Sequence, residues 1–143
     1  MVAARGDEFV ASLLPEPDAV PQLLDKLESY AEEADLGTRA AHHLALICEE
    51  IVANVVMHGS KGEAPASFVE VRIRKEGPLL RIRIEDDGPA FDPIAQASPE
   101  TDLSIEERDI GGLGIHFVRS LVRDLDYVRQ EGRNCLSAVL DAS

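Results

Sequence analysis

The apolar positions of this chain follow two periods, and the change from one to the other marks out its elements. From Asp18 to Asp35, Val20, Leu23, Leu24, Leu27, Ala31 and Ala34 recur at helical spacing. They line one side of an amphipathic helix. Pro21 fits the first turn, where its missing N–H costs nothing, and Gly37 is expected just past the end. A second helix is expected from Thr38, read as its cap, to Met57 or His58, with Gly59 as its stop. Its buried stripe is Leu44, Cys48, Ile51, Val52 and Val55. The period then drops to two. Val69, Val71 and Ile73, then Leu80, Ile82 and Ile84, alternate with Arg72, Arg74, Arg81 and Arg83. A turn at Glu76, Gly77 and Pro78 makes these runs a hairpin, apolar on one face and arginine-rich on the other.

The flanking segments give weaker patterns. Glu8 to Leu14 reads as a short strand closed by Pro15 and Pro17. Beyond Asp86 a polar stretch reaches Gly111, and its weak periodicity from Ile94 to Ile110 predicts a mobile loop or lid. A third helix is expected to open at Gly112 and to carry Ile115, Val118, Leu121 and Val122. Two strands close the chain, near Leu125 to Gln130 and Asn134 to Leu140, with Glu131, Gly132 and Arg133 as their turn. Helices interleaved with hairpin-connected strands predict an α/β fold. It is a two-layer sandwich with a mixed, mostly antiparallel sheet and helices on one face.

Composition narrows the function. The 143 residues, 45% of them hydrophobic, suffice for one domain with a core, placed at residues 8–141. Fourteen basic against 27 acidic residues give a net charge of −13, which repels nucleic acid and anionic membranes. The arginine-rich hairpin face does not reverse this, because it holds no aromatic stacking residues and reads as a solvated sheet face. No run approaches the roughly 20 apolar residues of a membrane span. Met1 to Leu14, with Arg5 followed by Asp7 and Glu8, fits no signal peptide. Cys48 and Cys135 sit among apolar neighbours in sequence and read as reduced core residues. A cytoplasmic protein is expected.

Three clusters can carry chemistry. Glu50 and Asn54 lie four apart and project from one face of the second helix. A carboxamide oxygen there suits Mg²⁺, and a carboxylate can take a proton from an attacking hydroxyl. The pair alone equally fits a solvated polar face. Asp86 ends an apolar strand, and Gly88 lets the backbone turn close to a ligand. A strand-end aspartate can accept a hydrogen bond from the exocyclic amine of adenine, or simply belong to an acidic turn. Gly111, Gly112 and Gly114 stand at a helix mouth, where bare N–H groups and the helix dipole favour phosphate. A glycine-rich linker would look the same, and neither a Walker loop nor a dinucleotide fingerprint is present.

The order of the clusters is rarer than any one of them. Glu50 and Asn54 on a helix, Asp86 and Gly88 after a strand, then a lid, then Gly112 and Gly114 opening a helix resemble a Bergerat-type ATP-binding domain. They are similar to its asparagine box and two glycine boxes. The stretches from Cys48 to Gly59, from Asp86 to Pro93 and from Gly111 to Arg119 are closer still to the anti-sigma-factor serine/threonine kinases.

That resemblance implies ATP and Mg²⁺ as cofactors. It gives Mg²⁺ to Asn54, the general-base role to Glu50, the adenine amine to Asp86, the shaping of that pocket to Gly88, and phosphate contacts through N–H groups to Gly112 and Gly114. Glu49 lies about 100° around the helix and is the poorer base. The implied activity is phosphorylation of a STAS-type anti-anti-sigma antagonist by a homodimeric kinase that also sequesters a sigma factor. A non-catalytic, nucleotide-gated binding module is the alternative. Two departures from the family pattern stand out. Ala90 replaces the usual second glycine, and a late-strand threonine has only Ser137 or Asn134 as stand-ins. His58, one turn past Asn54, is a further candidate for the pocket, and Arg108 for a γ-phosphate or a partner. His42 and His43 read as surface or helix-end residues.

Overall fold

The computed structural model describes residues 8–59, 64–96 and 110–142. Among them five strands form one sheet: β1 (Glu8–Leu13), β2 (Val69–Glu76), β3 (Leu79–Asp86), β4 (Asp124–Gln130) and β5 (Arg133–Asp141). The order across the sheet is β1-β2-β3-β5-β4, and every neighbouring pair is antiparallel. The expected mixed sheet is therefore wholly antiparallel among the described residues. Helices α1 (Ala19–Glu33), α2 (Thr38–Gly59), α3 (Pro93–Gln96) and α4 (Ile110–Leu121) accompany it.

The two tight turns use the residues that their geometry demands. Gly77 has φ 59° in the β2–β3 turn, and Glu131 and Gly132 have φ 52° and 75° between β4 and β5. Positive φ at the turn centre matches the twist of the flanking strands. Register then sends Val69, Val71, Ile73, Leu80, Ile82, Ile84, Leu136, Ala138 and Leu140 to the inner face, all of them buried. Leu23 and Leu27 of α1, Leu44, Ile47, Cys48, Ile51 and Val52 of α2, and Ile115 and Val118 of α4 close the core from the helical side.

The other sheet face meets water as expected. Arg72, Arg81 and Arg83 each pair with a glutamate, to Glu70 at 2.9 Å, Glu76 at 2.6 Å and Glu85 at 3.0 Å. Those carboxylates cancel the cationic stripe locally, which agrees with a solvated face rather than a phosphate-binding one.

The helix boundaries bring corrections. α1 ends at Glu33, two residues before the expected Asp35, and it is Asp35 rather than Gly37 that takes the left-handed conformation (φ 56°) which closes a helix. The Leu36 N–H reaches back to the Ala31 carbonyl at 2.9 Å, and Lys75 Nζ donates to the Ala34 carbonyl at 2.9 Å. Thr38 is the first helical residue of α2. The cap position belongs to Gly37, whose carbonyl accepts from the Ala41 N–H at 2.9 Å. α4 begins at Ile110, two residues before Gly112. The segment expected as a lid lies outside the described residues except at its ends, where α3 is one short helix.

α2 also qualifies the hydropathy expectation, since this 22-residue helix holds an 18-residue window with a mean hydropathy of 1.3, long and apolar enough by length and composition alone to cross a membrane. Its apolar side packs instead against the sheet and against α1 and α4, and the helix carries Glu49, Glu50 and the buried Asn54. The cysteines divide as well. Cys48 is fully buried, and burial pushes its thiol up to about 12. Cys135 is buried on the opposite sheet face, where its Sγ donates to Glu85 Oε2 at 3.2 Å beside Arg83.

Candidate functional site

α2 is the spine of the site. Residues four apart on a helix stack on one face, so Glu50, Asn54 and His58 form a column along it. Glu50 is half-buried and Glu49 exposed, in keeping with their separation around the helix. Asn54 is 4% exposed, and among the described residues its carboxamide makes no hydrogen bond. It lines a cavity of about 30 Å³ together with Ile51, His58, Asp86, Phe91, Tyr127 and Asn134.

The far wall of this cavity is built by strand register. Asp86, last in β3, lies opposite Asn134 of β5. Asn134 Nδ2 donates to Asp86 Oδ1 at 3.0 Å, and the Gly88 N–H donates to the same oxygen at 2.9 Å. Both bonds fall on Oδ1, which leaves Oδ2 for a ligand donor. Burial raises the Asp86 carboxyl above its ordinary value, and the two hydrogen bonds offset only part of that.

Asn134 is the hub of the wall. Its Nδ2 also donates to the Pro89 carbonyl at 2.9 Å, while its Oδ1 accepts from the Tyr127 hydroxyl at 2.5 Å and the Phe91 N–H at 3.2 Å. One side chain thus holds the strand end and the loop after it. Truncation orphans several buried groups at once, so Asn134→Ala is expected to cost about 2–3 kcal/mol of stability in denaturant unfolding. A loss below about 0.5 kcal/mol would show that the network is not what fixes the loop.

The loop has further ties. Asp87 accepts from the Ser67 N–H at 2.7 Å, the Ser67 hydroxyl at 2.5 Å and the Phe68 N–H at 3.2 Å. Partial burial works against its ionisation, yet these bonds prevail and lower its pKa. Arg129 Nη1 donates to the Gly88 carbonyl at 2.8 Å. Gly88 must be small: an added Cβ would lie 3.0 Å from Asp86 Oδ1, 3.1 Å from Ala66 Cβ and 3.2 Å from Gly59 Cα. Asp92 Oδ1 caps α3 through the Ile94 and Ala95 N–H groups at 2.9 and 3.2 Å.

At the other end of the column, α4 meets Glu50. A Cβ built on Gly114 would fall 1.8 Å from Glu50 Cδ and 2.1 Å from each carboxylate oxygen. The carboxylate therefore occupies the space that the missing side chain leaves. Gly112 lies in the first turn, where backbone N–H groups have no helical acceptor. Gly114 is one turn in, so its N–H falls within the helical ladder, and its lack of a side chain is what the arrangement uses.

Asn54 and Asp86 thus line one cavity with Gly88 behind Asp86, Glu50 meets Gly114 one helical turn from Asn54, and Gly112 lies in the first turn of α4. The carboxylate can accept a proton, the buried amide can offer an oxygen, and Asp86 can receive an amino group. A separate model of the histidine kinase-like ATPase domain matches residues 13–140. The chain belongs to that family.

Over 111 residues it is 29% identical to the serine/threonine-protein kinase BtrW of Bordetella bronchiseptica, covering 78% of each chain. Over 136 residues it is 27% identical to the serine-protein kinase RsbW of Listeria innocua, covering 92% of this chain and 85% of that one. The fold is also that of the RsbU and RsbW domains of a Mycobacterium tuberculosis protein, with a TM-score of 0.67 at 14% identity. That match takes in 94% of this chain but only 32% of the longer one. The SiaB–SiaC complex of Pseudomonas aeruginosa gives a TM-score of 0.63 at 16% identity over 92% of this chain and 88% of that one.

Of the family's expected stand-ins for a late-strand threonine, Asn134 reaches Asp86, whereas Ser137 is exposed on the outer sheet face beside Arg83. His58 does line the cavity, and Ala90 is exposed. Arg108 lies outside the described residues. Sequence reasoning missed the hub role of Asn134, Asp87, Tyr127 and Arg129. The available signal was Asn134 itself, a polar residue at an inward position of an otherwise apolar alternation.

Proposed function

We propose that this chain is an ATP-dependent protein serine/threonine kinase that acts as an anti-sigma regulatory factor and phosphorylates a STAS-type anti-anti-sigma antagonist. The observation that carries this reading is the Glu50 carboxylate lodged over Gly114, one helical turn from Asn54 and on the same column as the Asp86 cavity. The kinase names of two relatives support the class of reaction.

In this reading Asp86 Oδ2 accepts from the adenine amine, and the Gly112 N–H, at the positive end of α4, meets phosphate. Glu50 takes the proton of the attacking hydroxyl as its oxygen bonds to the γ-phosphorus and the bond to the departing ADP oxygen breaks. Asn54 fits an oxygen ligand of Mg²⁺, being buried, cavity-lining and without a hydrogen bond among the described residues. Among those residues no cluster of three or more His, Cys, Asp or Glu could hold a metal alone. That suits an ion shared with substrate phosphates, as Mg²⁺ usually is. When bound, the ion supplies positive charge against the charge that develops on the transferred group. The same reading makes the protein a cytoplasmic homodimer that sequesters a sigma factor until unphosphorylated antagonist displaces it.

A nucleotide-gated binding module would need the same pocket but no base. The replacement of glycine by Ala90 would favour it if that residue distorted the pocket, yet Ala90 is exposed while Asn134 and Gly88 hold Asp86 in place. The deciding experiment is incubation with Mg-ATP labelled at the γ-phosphate and the antagonist proteins of the same genome. Label on an antagonist serine or threonine is expected. Nucleotide binding without any labelled protein would leave only the binding module.

Asp86 supplies a separate check. Asp86→Asn is expected to weaken ADP binding about tenfold in calorimetry, through loss of a charge-assisted hydrogen bond. The raised pKa sets the direction with pH. The ionised form is the better acceptor, so ADP affinity falls on acidification, and begins to fall at a higher pH than an ordinary aspartate would give. The Asn variant should lose that dependence. If it keeps the same pH profile as the parent, Asp86 is not the group involved.

A further inference from the structure

His58 and Phe91 are stacked, with ring centroids 4.0 Å apart and planes 16° from parallel. Both rings line the cavity bounded by Asp86 and Asn54. What they leave open is about 30 Å³, room for a water or two. Pockets that bury a small-molecule ligand run to about 300–1,000 Å³. No flat base enters this cavity unless a side chain moves, and the stacked pair is itself two flat rings beside the aspartate assigned to the base.

The rings differ in how they are held. His58 belongs to α2, a continuous helix of 22 residues packed on the sheet and on two other helices. Phe91 sits on the loop after β3, tied through its N–H to Asn134 Oδ1 and followed at once by the Asp92 cap of α3. Its ring can swing about the side-chain torsions while that backbone bond stays made. The imidazole has torsions of its own, but its Cα is fixed in the last turn of α2, whereas Phe91 stands on a loop.

We infer that Phe91 is a placeholder for the nucleotide base. Its ring covers His58 in the nucleotide-free protein, and an incoming base displaces it and stacks on the imidazole with its amino edge at Asp86. The inference rests on the proposed assignment of the Asp86 cavity to the base. It divides the work of recognition. Stacking on His58 accepts any flat base, since every base has a π-face, whereas Asp86 selects for an amino group. The covered state also lowers apparent affinity by the fraction of molecules whose site is open. Phe91 thereby weakens nucleotide binding, and His58 strengthens it.

The test uses the full chain and ADP. Proton NMR of the nucleotide-free protein should show ring-to-ring contacts between His58 and Phe91. Saturating ADP should abolish them and replace them with contacts from the adenine protons to the His58 ring. In calorimetry Phe91→Ala should bind ADP roughly fivefold more tightly, and His58→Ala roughly tenfold more weakly. Persistence of the ring contacts in the ADP complex overturns the inference, and so does a Phe91→Ala variant that weakens binding as His58→Ala does. The NMR arm needs no variant to fold. A parent protein that binds no ADP at all fails differently, because it removes the base site itself and this inference with it.

Discussion

Glu50→Gln is expected to lower phosphotransfer by roughly two to four orders of magnitude, the usual contribution of a positioned general base. ADP affinity should stay within about threefold of the parent. The amide keeps the size and shape of the carboxylate, so packing against Gly114 survives and only proton acceptance is lost. Glutamine is therefore a sharper probe than alanine, which would also open space at the α2–α4 contact. The measurement is transfer of labelled γ-phosphate to the antagonist under single-turnover conditions, beside calorimetry with ADP. A variant with undiminished transfer removes Glu50 from the chemistry. One that loses ADP binding in proportion shows that the residue serves the nucleotide instead. Glu49→Gln should leave transfer unchanged, because that side chain is exposed and lies away from α4.

Legibility in the sequence followed the reach of each signal. The sheet was readable because its pattern is local: Val69, Val71, Ile73, Leu80, Ile82 and Ile84 of the β2–β3 hairpin obey the period of two and are buried. The column of Glu50, Asn54 and His58 was readable for the same reason, since helical spacing alone puts the three side chains on one face. The end of α1 was legible to within two residues, but not that Asp35 would fill the left-handed position where glycine is the common occupant. α3 escaped notice because four residues show no periodicity.

The contacts that finish the site were out of reach for another reason. Asn134 meets Asp86 only through the β3–β5 register, and His58 meets Phe91 only after a loop has folded back over α2. No spacing rule connects such pairs, because the chain between them is long and its path is set by packing. The resemblance to an ATP-binding family pointed to Gly114 for a different reason. It assigned the glycine to phosphate through its N–H, whereas the described geometry uses its missing Cβ.

That difference makes Gly114→Ala a decisive substitution. The new methyl group would sit 1.8 Å from Glu50 Cδ, far inside contact distance, so the two cannot coexist as they stand. The cheapest relief is rotation of the glutamate, because its carboxylate is the far end of a flexible side chain while α4 is packed through Ile115 and Val118. Alanine also favours a helix over glycine by about 1 kcal/mol, which offsets the strain of that rotation. The variant is therefore expected to fold, with unfolding free energy within about 1 kcal/mol of the parent. ADP affinity should change little, because the Asp86 cavity is untouched. Phosphotransfer should fall by about 10²-fold or more, the scale of loss when a reacting group is misplaced by about an ångström. The double variant with Glu50→Gln separates displacement of the base from any other injury. If alanine acts by expelling Glu50, adding glutamine costs little further, and the two losses are far from additive. Fully additive losses would show that Gly114 serves catalysis independently, through phosphate contacts of its own backbone. Undiminished transfer in Gly114→Ala would mean that the carboxylate need not lie where it does.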